Sequence, residues 1–145
     1  MMQSVTVTVS WEDAALATRQ GGRAHRAVVE LLARQSCCAT AQEIFDLLRS
    51  GGSAVGLATV YRTVDQLSKD GFLQRIELGD GTTRYEPAEP GGHHHHHVVC
   101  DSCGKVDPFE DDRLEQALHR VERQTGYAIV AHDVVLRGTC ADCAD

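Results

Sequence analysis

Two Cys-x-x-C pairs, Cys100/Cys103 and Cys140/Cys143, constrain this chain more than any other feature. One such turn places two thiolates at one metal, and two turns complete a tetrahedron of sulfur around it. The pairs lie too far apart for a self-contained finger, so the ion is expected to tie together the two ends of a small module. A closed set of four cysteines leaves no open coordination position, which makes structural Zn²⁺ the expected occupant. The rival reading, two redox-active dithiols, favours a pair at the start of a helix in a βαβ pattern, and neither pair has that setting.

Five consecutive histidines, His93 to His97, run into the first pair after two valines. Their internal position, between predicted elements, argues against an added affinity tag. In a strand, alternate side chains face opposite sides, so His93, His95 and His97 are expected on one side and His94 and His96 on the other. Two imidazoles per side can serve two further metal sites, each needing one or two more ligands. Glu115 and His132 are available in the same module, although each also reads plainly as a solvated helix residue and a satisfied strand histidine. A disordered His-rich metal buffer is the rival explanation of the run.

The charge balance supports cation binding in this half. Residues 1–85 carry 9 basic and 9 acidic side chains, whereas residues 86–145 carry 5 and 12. A net charge of -7 argues against general nucleic-acid affinity, yet a neutral first half can bind DNA if its basic residues share a face. No apolar run approaches the ~20 residues that span a bilayer, so no membrane association is expected. The first residues lack a basic and an apolar signal region, from which a cytoplasmic location is expected.

The first half reads as three or four helices and a hairpin. Residues 1–10 alternate Val and Thr like an extended arm, and residues 11–20 suggest a short helix ended by Gly21 and Gly22. Residues 23–35 form a helix on Val28, Leu31 and Leu32, and Cys37–Cys38–Ala39 interrupts the pattern. Thr40 and Glu43 make a capping box for a helix with the stripe Ile44, Leu47 and Leu48. The next helix, from Leu57, places Val60, Val64 and Leu67 on one side and leaves Thr59, Arg62 and Thr63 polar, with Tyr61 beside them. Residues 72–78 and 82–87 then read as two strands around the turn Leu78-Gly79-Asp80-Gly81. This is the plan of a winged helix-turn-helix, whose last helix enters the major groove.

The fold class is therefore α+β: an N-terminal winged helix-turn-helix domain over residues 1–86, a Pro/Gly hinge linker over 87–92, and a small α/β domain over 93–145 suited to dimerisation. In the last of these a strand leads into the first Cys pair. A short strand or turn at 105–110, a helix at 111–126 on Leu114, Leu118 and Val121, and a long strand at 127–140 follow.

The segments GLATVYRTVDQL, HHHHHVVCDSCGKV and GTCADC, in this order over about residues 20–145, resemble the ferric uptake regulator family of metal-sensing repressors, and within it the zinc uptake regulator branch most. The resemblance implies a cytoplasmic homodimer that binds a palindromic double-stranded DNA operator when metal-loaded, and not an enzyme. It carries the structural Zn²⁺ onto Cys100, Cys103, Cys140 and Cys143. It carries a sensing ion onto Cys38, Glu86, His95 and His97, and a further ion onto His94, His96, Glu115 and His132. Cys38 stands where iron and peroxide sensors usually have a histidine. Gln74 and Ala88 stand where some zinc sensors have an Asp and a Cys, and His25 where the family usually has an arginine. A thiolate in the sensing set favours Zn²⁺ over Fe²⁺ or Mn²⁺, although Cys38 also reads as a buried apolar residue.

Within that picture Tyr61, Arg62 and Thr59 are candidates for reading bases, and Arg19, Arg23 and Arg26 for backbone contacts. Tyr61 has partial core packing as its rival role. Three other functions compete. An iron, manganese, nickel or peroxide sensor would keep the family and change the signal. A metal buffer or chaperone would leave the winged helix unexplained. A zinc hydrolase would need an open metal, a general base and a pocket, and no pocket-forming segment is evident.

Overall fold

A computed structural model describes residues 11–17, 22–88 and 95–144. The N-terminal arm, Arg19, His93 and His94 lie outside the described residues. The chain divides into two compact units, residues 1–92 and 93–145.

The first unit is a winged helix. Its helices are α1 (Trp11–Leu16), α2 (Arg23–Leu32), α3 (Ala41–Ser50) and α4 (Leu57–Lys69). Its strands are β1 (Ala39–Thr40), β2 (Leu73–Glu77) and β3 (Thr83–Pro87). Val28, Val29 and Leu32 of α2, Ile44 and Leu48 of α3, and Val60, Val64 and Leu67 of α4 close on one another with Leu73 and Tyr85 from the sheet. These positions repeat at helical spacing, so each helix gives one apolar side to a common interior. Leu47 departs from the expected stripe and is exposed, because α3 turns its Ile44–Leu48 side, not Leu47, to that interior. His25 is buried and its Nε2 lies 2.7 Å from the carbonyl oxygen of Ala15, so it ties α1 to α2.

Two local features differ from expectation. Residues 33–35 leave the helical register of α2, which ends at Leu32. The interruption at 37–39 hides β1, which pairs antiparallel with β3 through Ala39↔Tyr85 and Thr40↔Arg84. The wing sheet is ordered β1-β3-β2. Its hairpin turn takes positive φ at Gly79 and Gly81, and Arg84 Nη2 lies 2.7 Å from the Asp80 carboxylate across it. That guanidinium holds the Asp80 carboxyl down at about 2. β3 runs on to Pro87, which pairs with Leu73, so the first residue of the expected linker is sheet.

The second unit contains β4 (His96–Cys100), β5 (Val106–Phe109), α5 (Asp112–Thr125) and β6 (Val135–Gly138). β4 is central, with β5 antiparallel on one edge and β6 parallel on the other. Asp111 caps α5 by accepting from the backbone N–H groups of Arg113 and Leu114. Gly126 ends it in the left-handed conformation at φ 73°. The long strand expected over 127–140 is confined to Val135–Gly138. Only this stretch meets a partner strand among the described residues, and Tyr127, Ile129 and Val130 before it are exposed.

The capping box joins β1 directly to α3. Glu43 N–H donates to Thr40 Oγ1 at 3.0 Å, and Thr40 N–H donates to Glu43 Oε2 at 2.7 Å. Thr40→Ala is expected to lower stability by about 1 kcal/mol. An urea midpoint shifted at constant m-value would show it, and an unshifted midpoint would contradict the role given to this cap.

Candidate functional site

In the second unit, the order of the strands gathers the four cysteines. Cys100 ends β4 and pairs with Gly138 of β6, two residues before Cys140. The sulfurs of Cys100, Cys103, Cys140 and Cys143 lie within 4.8 Å of one another. Cys103 Sγ and Cys140 Sγ are 3.8 Å apart, close to the spacing of two thiolates on one tetrahedral ion. The backbone N–H of Cys140 donates to Cys100 Sγ at 3.3 Å. That donor, followed by the N–H of Cys103, lowers the Cys100 thiol to about 6. Hydrogen bonding to the sulfurs of Cys140 and then Cys103 instead raises the Cys143 thiol to about 12. The cluster thus combines a ready thiolate with protons that a cation would displace.

β4 also realises the expected alternation. His96 is buried, with its ring centroid 5.5 Å from that of Phe109 and 5.3 Å from that of His132. Glu115, from the first turn of α5, sits between the two imidazoles. Its Oε1 lies 2.6 Å from His96 Nε2 and its Oε2 lies 3.1 Å from His132 Nε2. The ligand atoms of these three residues fall within 4.8 Å of one another. Glu115 is therefore not a solvated helix residue. His95 and His97 stack edge to face at 4.9 Å between centroids, as alternate residues of one strand side do.

In the first unit, β1 sets Cys38 beside Glu86. Continuing the Ala39↔Tyr85 register one step places Cys38 opposite Glu86. Glu86 is buried and half of a cross-strand pair with Gln74, whose amide donates to Glu86 Oε1. Gln74 thus orients the carboxylate. The ligand atoms of Cys38, Glu86 and Cys37 lie within 4.8 Å of one another. The neighbouring Cys37 thiol, then burial, push the Cys38 thiol strongly up. Cys38 is half-buried beside polar groups and is no apolar core residue. Cys37 and Gln74 were not singled out by spacing. Chain adjacency signals the first, and only the β2–β3 register reveals the second.

The α4 surface is open. Tyr61 is 51% exposed, so core packing is not its role. Arg62 is exposed and its Nη2 donates to Thr59 Oγ1 at 3.2 Å, which aligns two polar groups one turn apart. Arg23 and Arg26 are exposed on α2, with Arg26 in a loose pair with Glu30 at 3.9 Å.

The family model for the ferric uptake regulator family matches residues 21–137. The ferric uptake regulation protein of Bacillus subtilis is 36% identical over 105 residues, covering 72% of this chain and 70% of the relative. The zinc uptake regulation protein of Mycobacterium tuberculosis is 35% identical over 121 residues, covering 83% and 92%. Among solved structures, the ferric uptake regulator of Vibrio cholerae superposes with a TM-score of 0.73 at 30% identity, covering 83% of this chain and 91% of that one. That of Helicobacter pylori, described as having three functional metal binding sites, gives 0.74 at 27%, covering 85% and 81%. A winged helix followed by a small cysteine- and histidine-rich unit defines a metal-responsive transcriptional regulator. The chain belongs to the ferric uptake regulator family.

Zn²⁺ offered to the four-cysteine cluster has to displace the proton that Cys143 holds up to about 12. Affinity is therefore expected to weaken by about tenfold per pH unit for each proton displaced as the pH falls. Competition with a chromophoric chelator at several pH values measures it, and a pH-independent affinity would contradict the assignment.

Proposed function

We propose that this chain is a zinc-responsive repressor that acts as a homodimer on a double-stranded DNA operator and controls metal-uptake genes. Cys100, Cys103, Cys140 and Cys143 hold a structural Zn²⁺. A regulatory ion takes Cys38 and Glu86 from the first unit and His95 and His97 from the second. His96, Glu115 and His132, with His94, hold a further ion. The observation that carries the zinc reading is the Cys38 thiol facing the oriented Glu86 carboxylate across the β1–β3 pair. A soft thiolate beside two imidazoles and one carboxylate favours Zn²⁺ over Fe²⁺ and Mn²⁺. The likeness to a zinc uptake regulator over 92% of its length supports the same ion.

Tyr61, Arg62 and Thr59 read bases from α4, while Arg19, Arg23 and Arg26 hold phosphates. Homodimerisation is supported by the apolar groove of the second unit, where Leu118 and Val121 of α5 face Ile129 and Val130 without burying them. Gating follows from linkage. An ion whose ligands come from both units binds best to one arrangement of them, and so stabilises whichever arrangement fits the operator. The reaction is an equilibrium of binding, with no catalytic step.

His97→Ala separates the regulatory ion from the structural one. The variant is expected to lose the zinc dependence of operator binding, read by fluorescence anisotropy, while retaining the zinc of the four cysteines. Unchanged zinc dependence, or equal loss of both ions, would overturn the assignment.

A further inference from the structure

Adjacent residues in an extended chain point to opposite sides. Cys37 and Cys38 do not follow this rule. Ser36 and Cys37 form a bend just before β1, and the bend turns both sulfurs to the same side. The Cys37 thiol donates to the Cys38 sulfur at 3.7 Å. Two thiolates at ~2.3 Å from one tetrahedral ion stand about 3.8 Å apart. The chain shows the same spacing, 3.8 Å, between Cys103 and Cys140 of the four-cysteine cluster. Glu86 completes the set on the first unit: its carboxylate and both sulfurs fall within 4.8 Å of one another.

We propose that Cys37 and Cys38 together form a two-sulfur chelate which, with the Glu86 carboxylate, binds a thiophilic divalent cation of the Zn²⁺ or Cd²⁺ class. The inference rests on the regulatory reading only in sharing Cys38 and Glu86, and adds Cys37 as a second sulfur ligand. Binding replaces two S–H bonds by two sulfur–metal bonds and releases two protons to solvent, with no change of oxidation state. Two thiolates sharpen the preference against Fe²⁺ and Mn²⁺ beyond what one provides.

Cobalt(II) tests it on the full-length protein with zinc kept in the four-cysteine cluster. The thiolate-to-Co²⁺ charge-transfer band scales with the number of sulfurs bound, and the His96–Glu115–His132 cluster contributes none. The wild type should show a band of two thiolates, falling by about half in Cys37→Ser and about half in Cys38→Ser. X-ray absorption at the cobalt edge of the wild type gives the same two sulfurs per chain, once the sulfur count per cobalt is multiplied by the cobalt bound per chain, with no variant to fold. One sulfur at the cobalt, with Cys37→Ser unchanged and Cys38→Ser lacking the band, would overturn the chelate and leave the regulatory reading standing. No sulfur at the cobalt would overturn both.

Discussion

The second unit has very little apolar interior. Its buried residues among those described are His96, His97, Val99 and Cys100, all on β4, and α5 buries none. A unit of this size cannot hold a fold on such a core, and such modules rely on metal, disulfide or a partner. β4 answers that constraint by being both the middle strand and the source of ligands. Its side-chain alternation sends His96 toward Glu115 and His132, sets His95 beside His97, and delivers Cys100 to the cysteine cluster. Coordination and tertiary structure are therefore one problem in this unit. In the reading developed above, metal–ligand bonds supply what apolar burial does not.

The first unit is built the other way. Its helices pack a continuous apolar interior, and its candidate ligands Cys38 and Glu86 lie together on the wing sheet. There the β1–β3 and β2–β3 registers together set Cys38, Glu86 and Gln74 in one row. A well-packed domain carrying a few acids and thiols at its margin keeps its fold whether or not a cation is bound. A unit short of core changes more when it gains or loses one. That asymmetry suits the proposed regulator, in which α4 would offer a constant surface to DNA and metal would govern how it is presented.

Local patterns made much of this legible in the sequence. Thr40 and Glu43 announced α3, the glycines of the wing announced its turn, and the Cys pairs announced their cluster. Strand alternation separated His96 from His95 and His97. What escaped depended on contacts distant in sequence. β1 has only two residues, and its partner Tyr85 lies far along the chain, so nothing local marks it as a strand. Gln74 looked like an absent ligand, whereas the β2–β3 register makes it the residue that orients Glu86. The stretch 127–140 has the apolar content of a strand, but pairing among the described residues reaches only Val135–Gly138. His25 stands where the family usually has an arginine, and only the packing shows why: it is buried against the Ala15 carbonyl and ties α1 to α2.

In the proposed function, zinc at a site that includes Cys38 sets operator affinity. The most direct measurement titrates DNA from upstream of the chain's own gene with protein that keeps only its four-cysteine zinc. Free Zn²⁺, and separately Fe²⁺ without oxygen, are held at buffered levels. Zn²⁺ is expected to tighten binding at free concentrations far below those at which Fe²⁺ acts. A response to Fe²⁺ alone would contradict it, and binding indifferent to any metal would remove the regulatory ion from the account.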